Sequence, residues 1–511
     1  MVDIDLFTEE KDTRKIYFCK GCGTIIKTHE KPTICTMCGF EKFTLLKIED
    51  EDVRLRVLSL LHQKDFGQAS ELLVKTLERN NHIYTTKVDK AQEIFIYKDG
   101  IYIPEGESEI KSQLRIIMQE NYSEWLSNQV LSKIRTDTFI DPEVFFMDRN
   151  NFMIPVQNGI LDLKKVELKP FTPEEIYFSK LPITFDIKCY SEKIDKFLED
   201  VLANPDDVKV FYELAGFGLI KEYIFERAFM MVGNGRNGKS KSLELLKRLV
   251  GTNNCSAVPL SSLTPTSPFV QSLWKKHFNL AGDLSSSDLK ETGMFKQLTG
   301  RDPIAANRKY KNTIEFCNYA KMVFACNDLP RVYDYSDGFW DRWILLEFPY
   351  KFVSEEVYNN ATDTDKKNLK IRNPTIIEEI TTEEEMSGFL NNAIIGLHRI
   401  FNNKKFSYST GTVEVKNKWI RKADSFMAFC MDYIEEDYES YITNKEIRST
   451  YKQFCRKHKV SGTSDKSIAA TLQEMFGATS DRKWTDSSTQ ERIWSGIKLK
   501  TAICDSSAKN L

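Results

Sequence analysis

The sequence predicts an α/β protein built on a largely parallel sheet, and three observations carry that prediction. Between about residues 191 and 400, runs that read as buried strands (RAFMMVG, HFNLAGD, AKMVFACN and RWILLEF) alternate with helical patterns, the rhythm of strands joined by crossover helices. The stretch Gly233-Asn-Gly-Arg-Asn-Gly238-Lys239-Ser240 fits G-x-x-x-x-G-K-[ST] and stands between the apolar run ERAFMMV and the helical KSLELLKRLVG. Near the start, two Cys-x-x-Cys pairs mark a small module of a different kind.

Composition bounds the rest. A chain of 511 residues has room for three or four domains. It is 41% hydrophobic and 29% charged, which excludes wholesale disorder. The 72 Lys+Arg and 74 Asp+Glu nearly cancel, so the chain is no polybasic binder and any nucleic-acid contact must come from local patches. No apolar run approaches the roughly 18–20 residues that span a bilayer, and MVDIDLFTEEKDTRK has no secretory core. The expectation is a soluble, intracellular protein with no membrane partner. An odd count of 11 cysteines fits a reducing compartment with one metal site better than a disulfide scaffold.

Residues 1–50 are expected to form a zinc ribbon. Cys19-x-x-Cys22 and Cys35-x-x-Cys38 are separated by 12 residues, and each pair can point two thiolates at one tetrahedral Zn²⁺. Gly21, Gly23 and Gly39 stand where such knuckles need permissive backbone. So short a segment has little core, so the metal would supply much of its folding energy. Four reduced structural cysteines are the plainer alternative. Residues 51–190 read as an α+β domain. Helical patterns (RLRVLSLLHQ, ELLVKTLERN) give way to strands, with Asp99-Gly100 turning the chain inside EIFIYKDGIYIP.

Residues 191–400 hold the phosphate chemistry. Gly233, Asn234, Gly235, Arg236, Asn237 and Gly238 would wrap phosphate oxygens in backbone N–H groups, backed by a helix N-terminus that runs on through Lys239, Ser240 and Lys241. Lys239 would reach the β- and γ-phosphates, and Ser240 would ligate Mg²⁺. HFNLAGD ends in Asp283, a carboxylate placed to hold Mg²⁺ or polarise water, although Leu284 stands where a second acid is usual. Asp288 and Glu291 are nearby alternatives, and an ordinary strand-end aspartate is the bland one. AKMVFACN ends in Asn327, placed to orient water against a γ-phosphate or simply to cap a turn.

Between those strands GRDPIAANRKYKNTIEF alternates toward a hairpin with Arg308, Lys309, Tyr310 and Lys311 near its tip. Cations with an interleaved aromatic can grip a nucleic-acid backbone, and a solvated charged hairpin looks the same in sequence. Gly338-Phe-Trp-Asp-Arg342-Trp holds an arginine between two tryptophans, either a finger for a neighbouring subunit's nucleotide or a stacked packing residue. EEVYNNATDTDKKNLK then reads as a charged helical exit. The last hundred residues (411–511) return to helix and end in a short strand pair. Residues 441–504 carry 12 Lys/Arg against 6 Asp/Glu, with Lys452, Arg456, Lys457 and Lys459 near one helix end, and RIWSGIKLK reads as a wing.

Taken together, these stretches resemble the superfamily 3 helicases of phage, plasmid and poxvirus primase-helicases. The resemblance rests on GNGRNGKS, NLAGDLSSSDLKETGMFKQLTGRDPIAANRKYKN, AKMVFACNDLP and GFWDRW in that order, flanked by EIFIYKDGIYI and IPVQNGILDLKKVELKPFTPE upstream and FCRKHKV and RIWSGIKL downstream. It implies an AAA+-like P-loop motor with a winged-helix tail. It further implies a ring-shaped, hexameric ATPase that unwinds duplex DNA, translocating 3′→5′. Lys239, Ser240 and Asp283 would hold ATP and Mg²⁺, Asn327 would be the sensor, and Arg308, Lys309 and Lys311 would grip DNA. Arg342 falls where relatives keep an arginine. Partners would be single-stranded and forked DNA, further copies of the chain, and a separate primase or polymerase, in a prokaryotic cytoplasm or at a site of viral replication. A primase-helicase that makes its own primers and a nucleotide-binding origin or packaging scaffold are the competing readings.

Overall fold

Ala228–Val232 (AFMMV, β1) is buried at all five positions, which only a strand covered on both faces of a sheet achieves. In a computed structural model of the chain, β1 sits inside a five-stranded, all-parallel sheet with Cys255–Ser256 (β2), Phe278–Ala281 (β3), Lys321–Cys326 (β4) and Trp343–Glu347 (β5). The strand order is β2-β3-β4-β1-β5, and every neighbouring pair runs parallel. The four runs read from sequence as strands are β1, β3, β4 and β5. The structure describes residues 15–19, 25–28, 32–37, 39, 41, 43–46, 49–87, 92–147, 149–282, 289–306, 314–334, 336–458, 460, 462–486 and 489–500.

The chain divides into two compact units, residues 1–147 with 171–178, and residues 148–170 with 179–511. Residues 148–170 and 179–190 pack with the larger unit, because Ile154, Leu161 and Leu181 share its core with the Lys239–Val250 helix and Phe348.

In the smaller unit, helices Glu49–His62, Phe66–Asn80, Gly106–Met118 and Glu124–Asp137 bury Val57, Leu73, Leu114 and Val130 together. The Asp65 carboxylate caps the second helix by accepting from the Gln68 N–H at 3.0 Å. A four-stranded sheet lies with them, in the order Ile101–Ile103, Ile94–Lys98, Ile83–Thr86, Phe139–Ile140. Asp99 (φ +50°) and Gly100 (φ +95°) make the two-residue turn that the sequence signals.

In the larger unit, Pro205–Leu219 (α1), Lys239–Val250 (α2) and Glu383–Asn403 (α3) cover one face of the sheet. Helices α1 and α3 touch backbone to backbone at Gly216 and Gly396, where any Cβ would run into the other helix. At the amino-terminal edge of the sheet the Lys321 ammonium is fully buried on the carbonyls of Tyr319, Ile220 and Glu222, at 2.7, 2.9 and 3.0 Å.

The expected helical exit is replaced by single-turn helices Glu355–Asn359 and Asp363–Lys366 and a parallel strand pair, Lys351–Val353 with Leu369–Ile371. Ser354 caps the first of these helices, and Thr362 caps a second start within the charged run, which is why the run does not form one helix. Beyond Thr412–Ala423 (α4) the tail runs Ser425–Tyr433 (α5), Ile434–Thr443 (β6), Asn444–His458 (α6), Asp465–Phe476 (α7), Thr479–Asp486 (β7) and Thr489–Leu499 (β8). Its antiparallel sheet has the order β6-β8-β7, so the expected short strand pair is in fact three long strands. Among the described residues no helix is long and apolar enough to cross a membrane.

Candidate nucleotide site

The carboxyl end of β1 runs straight into the Gly233–Gly238 loop, and α2 begins at Lys239. Gly235, Arg236 and Gly238 all have positive φ, at 71°, 51° and 94°, which curls the loop tightly between the strand and the helix. Gly238 has no room for a side chain, since a Cβ there would lie 2.5 Å from Val201 Cγ1. The loop is pinned from outside by the segment after β5. Asn237 Nδ2 donates to the Phe348 carbonyl at 3.1 Å, and the Phe352 N–H donates to the Arg236 carbonyl at 2.7 Å.

Lys239 is buried, and its ammonium donates to Gly233 O at 2.5 Å, Asn237 Oδ1 at 3.0 Å and Asn327 Oδ1 at 3.1 Å. Asn327 follows β4, the strand beside β1, so adjacent parallel strands deliver both residues to one crevice. Ser240 and Lys241 lie exposed in the first turn of α2. On the far side of the loop is a cleft of about 770 Å³ whose walls include Asn234, Tyr350, Glu356, Asn360, Asp365 and Asn368. Sequence reasoning missed this wall, having read 355–370 as an exit helix. The capping residues Ser354 and Thr362 are the signal that would have found it.

Behind the loop, Glu347 at the end of β5 meets Lys422 of α4 at 3.4 Å. Burial, and then the Glu347 charge, push the Asp207 carboxyl up to about 6. The segment after Asn327 is tied to the tail as well. Trp419 of α4 donates to the Pro330 carbonyl at 2.8 Å, and Arg331 pairs with Asp424.

Arg342 stands elsewhere. It directly precedes β5, whose Trp343 is level with Ala228 at the start of β1, so it lies at the sheet edge opposite the loop. It is not held between its tryptophans. Trp340 and Trp343 go into the core around Trp419, while the Arg342 guanidinium binds Thr299 Oγ1 and Glu226, both at 2.7 Å, and the Gly338 carbonyl. A short helix and then a strand turn the two indoles into the core and direct Arg342 away from them, toward Thr299 and Glu226.

Asp283, Leu284 and Asp288 lie outside the described residues, as do Arg308, Lys309, Tyr310 and Lys311; Glu291 is exposed. The arms of the expected hairpin, Pro303–Ala306 and Ile314–Cys317, do pair antiparallel. Of the four proposed zinc ligands, Cys22 and Cys38 lie outside the described residues, as does the side chain of Cys19. Cys35 is buried, and its carbonyl accepts from the Gly39 N–H at 2.8 Å in a turn with Gly39 at φ +71°. Among the described residues no three His, Cys, Asp or Glu side chains gather as a metal site.

Two family models match the chain, a D5 N-terminal-like family over residues 67–203 and a family of unknown function (DUF5906) over residues 231–342. "Putative helicase L207/L206" of Acanthamoeba polyphaga mimivirus is 28% identical over 43% of this chain and 24% of its own length. "Putative helicase 121R" of Invertebrate iridescent virus 3 is 24% identical over 58% and 35%. The "DNA replication helicase" of Autographa californica nuclear polyhedrosis virus is 21% identical over 66% and 29%. Each of these viral relatives is named a helicase or putative helicase. The chain spans about a quarter to a third of the length of those relatives. The apo C-terminal region of NrS-1 superposes on 83% of this chain and 98% of its own at 12% identity, with a TM-score of 0.43. So loose a superposition carries no inference.

Proposed function

We propose that this chain is the motor of a viral replicative DNA helicase, a superfamily 3, AAA+-type P-loop ATPase. The observation that carries the reading is the meeting of Lys239 and Asn327 at the carboxyl edge of adjacent parallel strands. A lysine that already holds three oxygens at the mouth of a nest is poised to exchange the Gly233 carbonyl for phosphate oxygens. The backbone N–H groups of 234–240 then take the remaining phosphate charge, and the cleft beside Tyr350 takes the nucleoside end. Ser240 and Asp283 would hold Mg²⁺, which neutralises charge on the β- and γ-phosphates when bound. Water attacks Pγ, the bond from Pγ to the bridging oxygen breaks, and ADP leaves. Asn327 orients that water while Lys239 stabilises the charge that develops.

The remaining roles extend the same reading. Arg342 is too far from its own loop to serve it, so a catalytic role for it requires a neighbouring copy and hence a ring, taken as a hexamer moving 3′→5′. The hairpin carrying Arg308, Lys309 and Lys311 would grip single-stranded DNA in that ring. The α-β-α-α-β-β order from Ser425 to Leu499 supports a winged helix within 411–511, a fold that docks on DNA. The zinc ribbon at Cys19, Cys22, Cys35 and Cys38 stands on its spacing and on the Cys35–Gly39 turn. A separate primase or polymerase would complete the replication machinery.

The test is forked-duplex unwinding with ATP and Mg²⁺, wild type against Lys239→Ala. ATP-dependent strand separation that the variant loses is the expected result. Hydrolysis without separation on forks of either polarity would instead favour a scaffold, and unwinding by the variant would remove the motor reading.

A further inference from the structure

The β7–β8 hairpin extends beyond its own core. At its base Trp494 and Ile497 are buried with the helices of the tail. Further out, Arg482 of β7 stands directly opposite Arg492 of β8, and Trp484 stands opposite Gln490. Residues two apart on a strand share a face, so both arginines and the indole lie on one side of the ribbon.

Two features of that face are unfavourable for the chain alone. Like charges in direct cross-strand register repel, and neither guanidinium forms an ion pair among the described residues. Trp484 is 64% exposed, although an indole is among the side chains that gain most from burial. Its neighbour Lys483 lies on the opposite face, with its ammonium 4.1 Å from the centre of the Tyr441 ring. Around the hairpin, residues 441–504 carry a local excess of six positive charges.

An extended strand of phosphates and unstacked bases answers both features. It brings anionic oxygens between Arg482 and Arg492, where a guanidinium can bind two at once. It also offers a base with a free π-face to Trp484, about 6.6 Å further along the ribbon. A duplex supplies the phosphates but keeps its bases stacked on one another.

We propose that the Arg482–Trp484–Arg492 face of the hairpin is a binding site for unpaired nucleic acid, the two arginines holding the backbone and Trp484 stacking on a base. This rests on the nucleic-acid motor reading and adds to it a second single-strand contact, outside the hairpin of residues 303–317.

The test uses the full chain without nucleotide. Fluorescence anisotropy would follow a labelled 20-mer of deoxythymidylate and, separately, a blunt 20-base-pair duplex. Trp484→Ala is expected to weaken the single strand about 10-fold, in line with the loss of one stacked base, while moving the duplex less than about 2-fold. Trp484→Phe should restore most of the affinity. Arg482→Gln with Arg492→Gln should lower the salt slope for the single strand by about 1–2. An unchanged melting temperature checks that the variants fold. Single-strand affinity unaffected by Trp484→Ala overturns the proposal, and so does an equal loss on both substrates, which would mean duplex docking. If wild type binds the oligomer, hydrolyses ATP and unwinds while Trp484→Ala changes nothing, only this inference falls. If Trp484-dependent binding persists in a chain that neither hydrolyses ATP nor unwinds, the motor reading falls and the site stands. If no oligomer binds at all, this inference falls, and unwinding with ATP alone decides the motor reading.

Discussion

The Lys239 ammonium lies 3.1 Å from the carboxamide oxygen of Asn327, across 88 residues of sequence. The contact exists because β1 and β4 are neighbours in a parallel sheet and both release their chains at the same edge. The two residues should fail differently. Lys239→Ala removes the main charge on the phosphates and should abolish both hydrolysis and unwinding. Asn327→Ala should leave KM within about 3-fold and lower kcat by about 100-fold, because it acts on the attacking water rather than on ground-state binding. Steady-state ATPase kinetics separate the two. A rise in KM with normal kcat for Asn327→Ala would make that residue a binding group.

Arg342 is exposed by only 12% in its side chain and anchored to Thr299, Gly338 and Glu226. Arg342→Ala should therefore cost about 1–3 kcal/mol of stability, read by thermal unfolding. The five-residue strand β1 separates it from its own loop by about 16 Å. If it serves a neighbour's nucleotide, mixing Arg342→Ala with Lys239→Ala chains should recover ATP hydrolysis that neither has alone. No recovery would leave it a packing residue.

Asp424 joins the segment after β4 to the tail. Its carboxylate caps α5 by accepting from the Phe426 and Met427 N–H groups, at 2.9 and 3.1 Å, and pairs with Arg331. Asp424→Ala should destabilise the tail by about 2–4 kcal/mol, the sum of a lost cap and a broken, mostly buried pair. Asp424→Asn, which keeps the cap, should cost less. Calorimetry with limited proteolysis of residues 425–500 would check this, and equal losses in the two variants would mean that the cap contributes little.

Asp207 gives a pH dependence of defined sign. Burial and the Glu347 charge raise its native pKa to about 6, whereas an unfolded aspartate titrates near about 3.9. Between those values the native state binds the extra proton, so this group lowers stability as pH rises from about 4 to 6 and holds it lower above. Asp207→Asn should raise the unfolding midpoint at pH 7 and leave it nearly unchanged at pH 4. A gain equal at both pH values would point to packing instead of charge.

Much of the architecture was legible in the residues. Five apolar residues before a glycine-rich loop announce a buried strand that turns into a helix, and Asp99-Gly100 names its turn because few dipeptides accept two positive φ values. The exit segment was not legible, because charged composition reports solvation and says little about where Thr362 starts the chain afresh. Arg342 misled for a related reason. Adjacency to two tryptophans in sequence carries no direction until a helix and a strand assign the faces.

The sequence by itself determined the elements whose information is local: which stretches are strands, where the loop turns, and which lysine follows it. Period, turn chemistry and a short motif are all written within a dozen residues. Only the tertiary structure decided what lies next to what. The strand order β2-β3-β4-β1-β5 brings Asn327 to Lys239, sends Arg342 to the far edge, and ties Pro330 and Arg331 to the tail. Those pairings depend on how crossover helices stack on both faces of the sheet, and that is settled by the burial of the whole core at once.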